Sequence, residues 1–177
     1  MTAPPSPHRR ARPRPGAPIM TTTQKIKTCL WFSNNAEEAV QYYLSIFKGS
    51  RILSELRSGD AGPGPKGSLV MAEFELNGQR LMALNGAHQK FNETFSLVVT
   101  CETQEEVDEL WSKLTAGGGA ESQCGWLKDR FGVSWQIVPS ALIRLLQHPE
   151  PAKAGRVMQA MMQMKKIDIA RIEEAAR

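Results

Sequence analysis

The stretch KIKTCLWFSNNAEEAVQYYLSIFKGS, residues 25–50, decides the fold. Residues 25–33 (KIKTCLWFS) read as a strand. Asn35 then opens an amphipathic helix: Ala36, Ala39, Val40, Tyr43, Leu44 and Phe47 recur at the spacing of one helical face. Asn35 and Glu38 have capping-box spacing, and Gly49 closes the helix. A strand near 50–57 follows, then the Gly/Pro loop GDAGPGPKG (59–67). The run 68–76 alternates Val70, Ala72, Phe74 and Leu76 with Glu73 and Glu75, which predicts a half-buried strand. Asn77-Gly78 predicts a two-residue type I′ turn into a return strand over 79–85.

The pattern then recurs 68 residues later. Thr28 falls on Ser96, Asn35 on Thr103, Glu38 on Glu106 and Tyr43 on Trp111. Residues 94–101 (TFSLVVTC) read as a strand. Thr103 and Glu106 form a capping box, and Val107, Leu110, Trp111 and Leu114 make the apolar stripe of the following helix. Gly117–Gly119 end it. Short strands near 120–127 and 132–138 complete the copy. The expected fold is α+β: two βαβββ units, near 25–86 and 94–138, within a domain of residues 23–139. From Pro139 the pattern is helical, over 140–147, 152–166 and 168–175, so residues 140–177 read as an extension. Met158, Met161, Met162 and Met164 read as a core or dimer-contact face rather than an adaptable groove.

Composition bounds the function. The 177 residues are 41% hydrophobic and 23% charged, as in ordinary globular proteins. Residues 1–19 carry Arg9, Arg10, Arg12 and Arg14, six prolines and no acid. Without those four arginines the rest of the chain is formally neutral, so the net charge of +4 belongs to the tail. Residues 1–22 are therefore expected to be a disordered tail. A fold surface built for nucleic acid is not indicated. No apolar run is long enough to span a membrane. Three scattered cysteines (Cys29, Cys101, Cys124) suit neither a disulfide framework nor a zinc cluster, and the expected setting is the reducing cytoplasm.

Four stretches carry a family resemblance: FSNNAEEAVQYYLSIFKGS (32–50), VTCETQEEVDELWSKLTAGG (99–118), CGWLKDRFGVSWQIVP (124–139) and RVMQAMMQMKKIDIA (156–170). With the duplicated plan, they resemble the PhnB-like branch of the vicinal-oxygen-chelate superfamily, also catalogued as 3-demethylubiquinone-9 3-methyltransferase-like. The resemblance implies a glyoxalase-like half-barrel and a homodimer that completes its cavities. Metal-dependent members place one ligand on the first and one on the last strand of each unit. Aligned here, those positions hold Thr28, Asn85, Ser96 and Gln136. None is a carboxylate or imidazole, and neutral oxygens do little to offset the desolvation of a divalent ion. No metal and no cofactor is expected.

The same four groups suit a polar ligand in an apolar cavity, and equally suit bonding to backbone or to each other. If Thr28 faces the cavity, alternation places Leu30 and Phe32 there and turns Cys29 and Trp31 toward the helix. Ser96, Val98 and Thr100 share the cavity face, as do Ser134, Gln136 and Val138, while Trp135 becomes core. Cys124 and Trp126, two apart, are both expected to reach the cavity. A methyl transfer usually needs a Gly-rich turn entering a helix, whereas Gly117–Gly119 leave one, which argues against that activity. His88 reads as a solvated loop residue, and Cys124 as a structural thiol rather than a nucleophile. Asp129 and Arg130 precede the turn at Gly132 and read either as a surface turn or as polar contacts at a pocket edge. The reading is a metal-independent small-molecule binder. The alternative is a metal-dependent lyase, isomerase or dioxygenase of the superfamily. Whether the chain is an enzyme stays open.

Overall fold

The computed structural model describes residues 24–88 and 90–177, so the expected tail over 1–22 lies outside the described residues. The first unit comprises β1 (Thr28–Phe32), α1 (Ala36–Ile46), β2 (Arg51–Arg57), β3 (Leu69–Leu76) and β4 (Gln79–Asn85). Its sheet has the order β1-β4-β3-β2, with β1 parallel to β4 and the other pairs antiparallel. The second unit comprises β5 (Ser96–Cys101), α2 (Gln104–Thr115), β6 (Ala120–Glu121), β7 (Trp126–Lys128) and β8 (Ser134–Pro139). Its order β5-β8-β7-β6 and its strand directions repeat the first. The duplicated βαβββ architecture is therefore the one the 68-residue offset predicts. Asn77 and Gly78 both have positive φ, 45° and 86°, as the hairpin turn requires.

The single strand expected over 120–127 is two short ones. Cys124 (φ 59°) and Gly125 (φ 83°) adopt left-handed backbone between β6 and β7. A Cβ at position 125 would stand 2.8 Å from the Ile137 carbonyl oxygen, so only glycine fits there.

Each helix covers one face of its own sheet. Ala36, Ala39, Val40 and Tyr43 of α1 are buried on Leu30, Phe32, Phe74 and Leu81. Val107, Leu110, Trp111 and Leu114 of α2 are buried on Leu127, Trp135 and Ile137. The two halves share one core. Trp135 meets Tyr43 edge-on at 5.4 Å and stacks on Phe47 at 5.3 Å between ring centroids. At their junction lies Asp129, only 2% exposed. Its carboxylate accepts from Tyr43 Oη (2.7 Å), Trp135 Nε1 (2.8 Å) and the backbone N–H groups of Phe131 and Val133. One side chain thus ties a helix of the first unit to a strand of the second.

The caps differ. Thr103 Oγ1 accepts from Glu106 N, as expected for a capping box, and the Glu106 carboxylate accepts from Glu102 N at 2.8 Å. The Asn35 side chain makes no cap bond. Asn85 of β4 supplies the acceptor to α1 instead, taking Ala36 N at 2.9 Å.

The chain ends in α3 (Ser140–Leu146), α4 (Pro151–Met162) and α5 (Ile169–Ala175), with their own core of Leu142, Val157, Met164, Ile167 and Ile172. α4 stops short of the expected residue 166 because the chain beyond it docks on the sheet. Met164 O and Lys165 O accept the N–H groups of Cys124 and Gly125, each at 2.7 Å. The methionines divide accordingly: Met164 is buried, while Met158 and Met162 are exposed.

Candidate functional site

With a helix on one face, each sheet keeps the other face open. In β1 the buried residues are Leu30 and Phe32, while Cys29 and Trp31 are exposed. Thr28 pairs in parallel register with Leu81, so it belongs to the helix side. The expected orientation of this strand is reversed. Both of its rows are apolar, so alternation carried no polarity to choose between them. Trp31 can stay on the open face because its indole N–H donates to Asn85 O at the strand end. Asn85 also lies on the helix side, and both ends of its amide are engaged. Besides accepting from Ala36 N, it donates to Leu69 O at 2.8 Å. Thr28 and Asn85 therefore do not join Ser96 and Gln136.

The second sheet follows the expected alternation. Ser96, Val98 and Thr100 share the open face with Gln136, and Trp135 lies in the core. Gln136 Nε2 donates to Ser96 Oγ at 2.9 Å. Trp126 stands beside Gln136 in register, and Lys128 beside Ser134. Cys124 does not reach this group, since it occupies the turn pinned to Met164.

Ser134, which alternation places on the cavity face with Gln136, was not among the candidate ligand residues. It neighbours Ser96 in register and is 2% exposed, and its hydroxyl has no hydrogen-bond partner. It lines a cavity of about 190 Å³ together with Trp126, Lys128, Ser122 and Glu93. Native proteins rarely leave a buried hydroxyl unpaired, and a polar ligand or water is the usual remedy. The available signal was its shared face with Gln136.

The titratable groups near the core are poor catalysts. Burial and the neighbouring Glu106 and Glu102 push the Cys101 thiol up to about 12. Burial also raises Cys29. Asp129 lies above its ordinary value because burial outweighs the bonds it accepts. Its partner Tyr43 is raised by burial and by that carboxylate. Nor does the site fit a divalent ion. Two of the four aligned positions lie on the wrong face, and the other two are a neutral hydroxyl and amide bonded to each other. Among the described residues, no group of three or more His, Cys, Asp or Glu could hold a metal.

Residues 24–138 match the family model described as 3-demethylubiquinone-9 3-methyltransferase. The chain belongs to that family. The match spans both βαβββ units and stops before α3. The PhnB protein of Bacillus cereus is 40% identical to this family member, with a TM-score of 0.61 over 66% of this chain and 100% of that one. A protein from Pseudomonas aeruginosa is 24% identical, with a TM-score of 0.55 over 64% of this chain and 96% of the other, a likeness of fold. No curated protein matches. These likenesses place the fold among the PhnB-like proteins. The methyltransferase name is a label of the family. In this member Gly117–Gly119 close α2, where a Cβ at position 119 would stand 2.8 Å from both Leu114 O and Lys128 O.

Proposed function

We propose that the chain binds a small organic molecule, without a metal, on the open face of its second sheet. The observation that carries this reading is the buried, unpartnered hydroxyl of Ser134 beside the Ser96–Gln136 pair. Trp126 supplies an apolar wall, and Lys128, paired with Glu93, lines the cavity together with Glu121. The chemistry suits a mostly apolar body carrying a hydrogen-bonding oxygen.

The working unit in this reading is a homodimer. Trp31, Leu56 and Val98 are 50%, 54% and 58% exposed, all on the open faces of the two sheets. Exposed apolar sheet faces are the kind of surface that a second copy covers. Three free cysteines are in keeping with a reducing cytoplasm. Among the described residues no helix is long and apolar enough to cross a membrane.

The test is solvent extraction of freshly purified protein followed by mass spectrometry, with metal analysis in parallel. The reading expects a small organic compound that is reduced in Gln136→Ala and Ser134→Ala, and less than stoichiometric metal in all three. A stoichiometric metal whose loss accompanies Gln136→Ala would overturn it.

A further inference from the structure

A second concavity lies between the two units, away from the Ser134 cavity. It has a volume of about 620 Å³ and forms where the end of β1, the Ser33–Asn35 segment, the connecting residues 90–91 and the turn 130–132 meet. We propose that this groove is a distinct binding site for a planar aromatic anion, of the aryl-carboxylate class.

Its walls are aromatic. Phe91 and Phe131 each meet the buried ring of Phe32 edge-on, at 5.2 and 6.3 Å between centroids, and Trp31 adds a half-exposed indole. Its charge is of one sign. Lys90, Lys128 and Arg130 line it, and no acid does. Arg130 is held in place in advance. Its guanidinium sits 4.5 Å from the Tyr42 ring centroid and 4.9 Å from that of Phe131, and it pairs with Glu38 at 2.9 Å. Lys128 pairs with Glu93. Lys90 is exposed and has no acid partner among the described residues.

Two kinds of group therefore converge. Flat apolar walls favour a ring, because aromatic faces pack edge-on or offset against one another. Lys90, the lining cation with no acid partner among the described residues, favours a carboxylate at the rim, and the Arg130 guanidinium, paired with Glu38, also lines the groove. A neutral ring would leave the charge unused, and a small inorganic anion would leave the walls bare. The volume lies within the range of sites for ring compounds. The groove is independent of the small-molecule reading above, sharing only Lys128 with that cavity.

The experiment is calorimetric titration of the full chain with 2-naphthoate and with the neutral isostere 2-naphthamide. Naphthoate is expected to bind at least about tenfold more tightly, with affinity that falls as salt is raised. Lys90→Glu, an exposed substitution that leaves the core alone, is expected to weaken naphthoate about tenfold and naphthamide little. Phe91→Ala is expected to weaken both. Equal affinity for the two probes, absence of naphthoate binding, or indifference to Lys90→Glu overturns the assignment. Ser134→Ala separates the two sites. Binding that survives it belongs to the groove, and binding abolished by it belongs to the other cavity and also overturns the assignment.

Discussion

The two sheets share one plan and differ on one face. On the helix side both are close-packed, with Leu30, Phe32 and Phe74 under α1 and Leu127, Trp135 and Ile137 under α2. On the open side they part. The first sheet presents the apolar Cys29, Trp31, Met71, Met82 and Leu84, beside Glu73, Glu75 and Arg80, whose charges are taken up in ion pairs. The second presents Ser96, Ser134 and Gln136, with an indole and a lysine beside them. The side that holds the fold together is restricted by packing density in both copies, while the open side is free to diverge in chemistry. In the proposed reading the two faces do separate work, stability on the helix side and recognition on the open side of the second sheet.

Substitutions that break this division are ranked by expected effect. Asp129→Ala removes the acceptor of four donors at the junction of the units and strands two buried side-chain donors, Tyr43 Oη and Trp135 Nε1. A loss of more than about 3 kcal/mol is expected in urea unfolding. A loss below about 1 kcal/mol would deny the junction its role. Next is Asn85→Ala, which strips α1 of its borrowed cap and should cost about 1–2 kcal/mol while leaving ligand content intact. Gln136→Ala, its counterpart at the end of the other unit, should cost less than about 1 kcal/mol and deplete the ligand. The opposite ranking of these two variants would merge the faces that the structure separates.

Val98→Arg tests the open faces as contact surfaces. The variant should keep its melting temperature within a few degrees and sediment as a monomer, whereas the wild type is expected to sediment as a dimer. A wild-type monomer would remove the pairing. The smallest effect is a labelling rate. Cys101 is buried and titrates near 12, so below that pH it stays protonated and unreactive. Cys29 is exposed on the first sheet's open face. At pH 8 iodoacetamide should modify Cys29 well before Cys101, and more slowly at high protein concentration as pairing covers it. Rates that do not respond to concentration would count against the paired surface.

Much of the fold was legible because its signals are local. The helical stripes, the Asn77-Gly78 turn, the Thr103 cap and the 68-residue offset each need only a few neighbouring residues. What failed needed distant ones. Asn35 looks like a cap, but the acceptor comes from Asn85, a residue 49 positions away from Ala36. Strand β1 was reversed because Leu30/Phe32 and Cys29/Trp31 are both apolar, so burial depended on which row met α1. In β5 the aligned Ser96 does lie on the open face with Val98 and Thr100, so the orientation read correctly there. The 120–127 strand was split by left-handed backbone at Cys124, where the docked 164–165 segment settles the conformation. Of the candidate ligand residues, Ser96, Gln136 and Trp126 come together, while Thr28, Asn85 and Cys124 are placed elsewhere. The unpaired state of Ser134 depends on its surroundings in space and leaves no trace in the local pattern.

The most direct test of a metal-free polar hook on the second sheet is native mass spectrometry of freshly purified full-length protein. One spectrum reports subunit number, metal and bound organic mass together. The account predicts two copies of the chain carrying a small organic adduct and no stoichiometric metal, with the adduct lost in Gln136→Ala. A bound iron, manganese, nickel or zinc ion that departs with Gln136 would contradict it.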